Sequence, residues 1–142
     1  MDHEGEVHWA DVERHVDHLV EQGVDGIVVS GTTGETSTLT DAEKLELVRV
    51  TKQVAGNRAK IIQGGPSNET AHAIQLAKQS EAAGADAIMA VTPYYNKPTQ
   101  AGVLTHFRMV ADATDLPLIL YDIPGRAGCL LYTSDAADDM QC

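Results

Sequence analysis

Leu118-Ile119-Leu120-Tyr121-Asp122-Ile123-Pro124-Gly125-Arg126 reads as an apolar β-strand with a tyrosine at its tip, then a Pro-Gly turn, then an arginine. A phenol moves protons and a guanidinium forks onto a carboxylate. The pair suits a small carboxylated substrate, set against the plainer reading of a buried tyrosine and a solvated loop arginine. Working backwards, the same pattern of strand and loop recurs three times. Asp25 to Ser30, Ala59 to Gln63 and Asp86 to Val91 are short apolar, β-branched runs, and Leu116 to Tyr121 is the fourth. The starts lie 34, 27 and 30 residues apart.

Each interval holds one helical segment. Thr40-Asp41-Ala42-Glu43 is a capping box that opens a helix to about Ala55, where Gly56 stops it. Ser67 or Asn68 caps the next helix, which runs to about Ala83 and stops at Gly84. Thr99 caps a third, carrying Val103, Leu104, Phe107 and Val110. Ahead of the first strand, Trp9, Val12, Val16, Leu19 and Val20 share one helical face over Trp9 to Gln22, with Gly23 at its end. Strand and helix in alternation imply right-handed crossovers and a parallel sheet. The strands are continuously apolar, so both sheet faces are expected to be covered. Four units suit either a doubly wound sheet or part of an eight-unit barrel. In both, function sits at the C-terminal ends of the strands.

Composition narrows the function classes. The 142 residues are 43% hydrophobic and 22% charged, a globular balance. A formal net charge of −11 argues against nucleic acid and anionic membrane as partners. No apolar run approaches membrane-spanning length and no signal-peptide pattern opens the chain, so the expected location is cytoplasmic. The six histidines are scattered. His15 and His18 stand three apart on a helix, but nothing completes a metal set, and neither a metal nor a cofactor is expected. Cys129 and Cys142 both lie in the last 14 residues, which gives no disulfide framework.

Two further loops sit at strand ends. Gly31-Thr32-Thr33-Gly34-Glu35 offers two hydroxyls and several backbone N–H groups; it has neither the P-loop nor the dinucleotide spacing, and a plain strand-to-helix turn is the alternative. Thr92-Pro93-Tyr94-Tyr95-Asn96-Lys97-Pro98 presents two phenols, for a site, an interface or simple packing.

The set GTTGE, TPYYNKP and YDIPGR closely resembles the dihydrodipicolinate synthase family, among the class I pyruvate-dependent aldolases and lyases. The resemblance covers about residues 1 to 128. It implies a partial (β/α)8 TIM barrel, with the four strands standing as numbers two to five of eight. It implies a reaction in which pyruvate forms an imine with a lysine and the enamine attacks L-aspartate-4-semialdehyde, giving 4-hydroxy-tetrahydrodipicolinate in lysine and diaminopimelate biosynthesis. Under it Tyr121 is the central proton-transfer phenol, linked through Thr32 to Tyr95, which reaches into a neighbouring subunit. Thr33 holds the pyruvate carboxylate and Arg126 that of the semialdehyde. Asn68 and Tyr94 match positions of a lysine-inhibitor site, with His72 where a glutamate is common. A homo-oligomer, a dimer of dimers, is implied for the intact enzyme.

The chain departs from that pattern in three ways. The imine-forming lysine belongs one unit after Tyr121, and none of Lys44, Lys52, Lys60, Lys78 and Lys97 stands there; the chain as given is expected to be inactive. The family's opening strand is missing. From Cys129 onward the family's order dissolves, and Cys129 to Asp138 can be encoded by a transposon-end adaptor used in preparing sequencing libraries. Residues 129–142 are therefore expected to be a non-native tail, and without them the balance is 18 acidic against 10 basic residues, net −8. Two other readings stand beside this one: another pyruvate-dependent lyase, of the N-acetylneuraminate lyase or sugar-acid aldolase type, and a non-catalytic small α/β protein that binds a carboxylate.

Overall fold

In the computed structural model, which describes residues 1, 3–64 and 67–131, helices and strands alternate. They are α1 (Trp9–Glu21), β1 (Gly26–Val29), α2 (Asp41–Ala55), β2 (Lys60–Gln63), α3 (Thr70–Ala83), β3 (Ala87–Val91), α4 (Gln100–Ala111), β4 (Leu118–Tyr121) and the short α5 (Pro124–Ala127). The strands form one parallel sheet in the order β1-β2-β3-β4. The register sets Val29 beside Gln63, Gln63 beside Ile88, and Val91 beside Tyr121, so the chemistry-bearing loops leave one edge together. No helix of the described residues is long and apolar enough to cross a membrane.

Caps explain most helix boundaries. Thr40 Oγ1 accepts from the Glu43 N–H at 3.3 Å while the Glu43 carboxylate accepts from the Thr40 N–H at 2.7 Å, the reciprocal pair that the sequence predicts. Thr99 Oγ1 accepts from the Gly102 N–H. At α3 the expectation fails. Neither Ser67 nor Asn68 caps it; Glu69 is the N-cap residue and makes no side-chain cap bond. The Ser67 hydroxyl accepts from the Glu69 N–H one step too early and also meets His72 Nδ1 at 3.0 Å, while Asn68 is drawn to the neighbouring loop. The Pro-Gly turn after β4 is also revised: Pro124 takes the first helical position, where its missing N–H costs nothing, and a helical turn follows.

Successive helices pack on one another and on a single face of the sheet. Val16, Val20, Val29, Val48, Ala55 and Ile61 form the largest apolar cluster. Ala77, Ile88 and Val110 form a second, and Ala90, Val103, Phe107 and Cys129 a third. The other face is bare: Val28, Ile119 and Tyr121 are exposed. This corrects the expectation of two covered faces. In-order strands with crossovers of one hand place every helix on the same side, so among the described residues much of the apolar inner face is uncovered, although Ala87 and Val91 on it are buried.

At the N-terminal edge, Asp86 ties three elements. Its carboxylate accepts from the Ile61 N–H at 2.9 Å and from Lys52 Nζ at 2.9 and 3.0 Å, with Lys60 Nζ at 3.8 Å. Burial pushes the Asp86 carboxyl up, but these donors outweigh it and hold the group below the usual carboxylate value.

Candidate functional site

β1 ends at Val29 and the chain turns sharply. Ser30 and Glu35 both take left-handed backbone conformations, with φ of 57° and 56°. Between them the loop closes on itself, the Glu35 N–H donating to the Thr32 carbonyl at 3.1 Å and the Thr36 N–H to Gly31 at 3.4 Å. A single 3₁₀ turn, Thr36–Thr38, follows. This fold-back holds the Thr32 and Thr33 side chains at the strand end.

Gly64, one residue beyond β2, lies under this loop. A β-carbon there would fall 2.7 Å from Val28 Cγ1 and 3.0 Å from the Val29 carbonyl oxygen, so only glycine fits. β4 delivers Tyr121, and α5 swings Arg126 back over it. Thr32, Thr33, Gly64, Tyr121 and Arg126 line one open hollow of about 520 Å³. An adjoining hollow of about 330 Å³ shares Thr32, Tyr121 and Arg126 and adds Thr36, Ser37 and Tyr94. Arg126 makes no ion pair with a described residue, so its five donors are available to an anion. No lysine lines either hollow.

Tyr95 is not brought into this group. Its ring is 88% exposed and lines neither hollow. Its backbone is left-handed, φ 69°, fixed by the Tyr95 N–H donating to the Ala127 carbonyl at 3.1 Å. Among the described residues no hydrogen bond joins the hydroxyls of Thr32, Tyr95 and Tyr121.

Asn68 and Tyr94, by contrast, meet. Asn68 Nδ2 donates to the Tyr94 carbonyl at 3.2 Å, and Asn96 Nδ2 returns to the Asn68 carbonyl at 3.1 Å. Behind them His72 is engaged on both nitrogens, by Asp41 at 2.6 Å and Ser67 at 3.0 Å. The His72 hydrogen bond, with Lys44 adding to it, holds the Asp41 carboxyl below its ordinary value against a smaller opposing effect of burial. Sequence reasoning missed the Asp41–His72 pair, Gly64, and the polar wall of Thr36 and Ser37. The doubled glycine after Gln63 and the small polar run after Glu35 were the available signals.

With this geometry in view, the likenesses to known proteins are specific. The model of the dihydrodipicolinate synthetase family matches residues 1–138, and the chain belongs to that family. Proteins named 4-hydroxy-tetrahydrodipicolinate synthase are similar to it. That of Mycolicibacterium paratuberculosis is 52% identical over 124 residues, 87% of this chain and 41% of the relative. That of Cutibacterium acnes is 56% identical over 113 residues, 80% and 39%. Among solved structures, the chloride-inhibited dihydrodipicolinate synthase from Acinetobacter baumannii complexed with pyruvate superposes with a TM-score of 0.89 at 46% identity, covering 92% of this chain and 45% of that one. The enzyme from Cyanidioschyzon merolae with lysine bound gives 0.86 at 48% identity, covering 89% and 43%. The chain thus spans less than half the length of these relatives. Its four βα units are part of a (β/α)8 TIM barrel.

Proposed function

We propose that this chain is part of a lyase of the 4-hydroxy-tetrahydrodipicolinate synthase type, which condenses pyruvate with L-aspartate-4-semialdehyde in the cytoplasm. The observation that carries the reading is the convergence of two threonine hydroxyls, a phenol and a guanidinium without an ion pair among the described residues on one hollow at the C-terminal edge of the sheet. The relatives' names and the pyruvate in the A. baumannii structure support the same chemistry.

In this reading Thr33 and the loop amides around it receive the pyruvate carboxylate. Tyr121 is the proton carrier, since its phenol stands at the strand tip facing the hollow. Thr32, on the same wall, receives or returns the proton. Arg126 takes the semialdehyde carboxylate in bidentate fashion. Tyr95 serves a neighbouring subunit, in keeping with its outward ring and its fixed, left-handed backbone, and the intact enzyme is a dimer of dimers. The nucleophilic lysine must come from a strand beyond this chain. None of the five lysines here lines the hollow, and Lys44 and Lys52 are engaged by Asp41 and Asp86. The chain alone is therefore inactive.

Asn68 and Tyr94 belong to an effector site for lysine, a reading supported by the lysine-bound relative. His72 is already held by Asp41 and supplies no free carboxylate for an ammonium group, so feedback inhibition is weak or absent. Residues 129–142 are read as non-native, although Cys129 itself packs against Ala90, Val103 and Phe107; residues 132–142 lie outside the described residues. Resequencing the source DNA tests this, and an unbroken gene with the same ending would refute it.

The test of function is the complete gene that carries this stretch, assayed with the semialdehyde and with sugar acids. Turnover of the semialdehyde with pyruvate is expected, with Arg126→Ala raising KM for the semialdehyde and Thr33→Val raising KM for pyruvate. Turnover of a sugar acid alone would assign the chain to the other lyases of this type.

A further inference from the structure

Away from the strand-end hollows, a small void of about 20 Å³ lies under the helices, lined by Gln63, Ser67, Leu76, Ala77, His106 and Val110 among others. Three polar side chains stand in its walls, Gln63, Ser67 and His106, and the Ser67 hydroxyl is already engaged by the Glu69 N–H and His72. Gln63 is 1% exposed and His106 is 4% exposed. Among the described residues neither the oxygen nor the nitrogen of the Gln63 amide has a hydrogen-bond partner, and His106 Nε2 has none either. The other ring nitrogen, Nδ1, lies 2.9 Å from Thr70 Oγ1. Because both ends of the Gln63 amide are orphaned, turning the amide over leaves the same deficit.

Buried polar atoms of this kind are almost always satisfied, by protein or by ordered water. A water needs roughly 10–15 Å³ and two to four polar partners, so the void has room for a water. We propose that this void is a binding site for a single internal water molecule that bridges His106 Nε2 and the Gln63 side-chain amide. Burial lowers the pKa of His106 and keeps the ring neutral, with one N–H. If Thr70 donates to Nδ1, the ring proton is on Nε2 and the water accepts it; in the other tautomer the water donates. Either arrangement fits, because water does both. The bridge joins the tip of β2 to α4 beneath α3, linking two successive βα units. It also anchors the residue next to Gly64, which lines the candidate site.

The test is crystallography of the full chain at a resolution that shows ordered water, with and without Gln63→Met, a change of similar length that removes both amide atoms. The parent is expected to hold one peak within hydrogen-bond distance of His106 Nε2 and the Gln63 amide, and the variant to lose it. An empty void in the parent, a direct Gln63–His106 bond, or an unchanged peak in the variant would overturn the proposal. A readout needing no variant is a magnetisation-transfer peak between a slowly exchanging water and the Gln63 side-chain amide protons or the nearby His106 ring C–H, which is expected in the folded parent in either tautomer; its absence there counts against the bridge.

Discussion

Tyr121 and His106 are two polar rings with opposite situations. Tyr121 stands open at a strand tip, and among the described residues its hydroxyl has no partner to compete with a substrate. In the protein from the complete gene, Tyr121→Phe is expected to lower kcat by about two to four orders of magnitude. Non-covalent binding of pyruvate, read by calorimetric titration, should survive, since the ring and its packing are kept. A variant with unchanged kcat would remove the phenol from the chemistry. His106 is sealed among apolar walls. Its folded pKa lies below the ordinary 6.5, so the unfolded chain takes up a proton first. Stability is therefore full above that value and falls as pH drops from it towards the folded pKa. Denaturant midpoints measured from neutral pH downward should show this loss, and His106→Gln should flatten it.

At the level of elements, the boundaries legible in the sequence are those set by local chemistry. Thr40 with Glu43, Thr99, Gly56 and Gly84 act within one helical turn, and the structure uses them as read. Ser67 and Asn68 were not legible as what they are, because their partners, His72 and the Tyr94 loop, come from helical and cross-chain proximity. The site divides the same way. Thr32, Thr33, Tyr121 and Arg126 sit beside strand ends, so reading the strands was enough to place them. Tyr95 turns away because its backbone adopts a left-handed conformation that no local pattern announces. Asp86 is the element-scale tie best suited to mutation. Asp86→Ala leaves the Ile61 N–H without its acceptor and should cost about 1–3 kcal/mol in urea unfolding at neutral pH. Because the Asp86 carboxyl is held below 3.8, its contribution is present above that pH and is lost as pH falls through the folded value. The variant should accordingly show a shallower acid limb.

At the scale of the whole molecule, the largely uncovered apolar face and the outer edges of β1 and β4, which pair with no strand among the described residues, are the dominant features. Exposed strand edges and contiguous apolar surface promote association. Sedimentation velocity of the 142-residue chain is expected to give associated species, with the monomer fraction falling as concentration rises. A stable monomer that unfolds cooperatively would favour the self-sufficient carboxylate-binding module instead.

The in-order sheet also bears on synthesis. Every strand hydrogen-bonds only to strands adjacent in sequence, so no unit waits for a distant segment before it can pair. Each βα unit can dock on its predecessor as it leaves the ribosome, and the loop-closure entropy at each step is that of roughly one helix and its turns. The growing barrel thus assembles like a row of staves set one after another. The water beneath α3 would be sealed in only when α4 arrives, and β4 would be left as the open edge on which the next stave is laid.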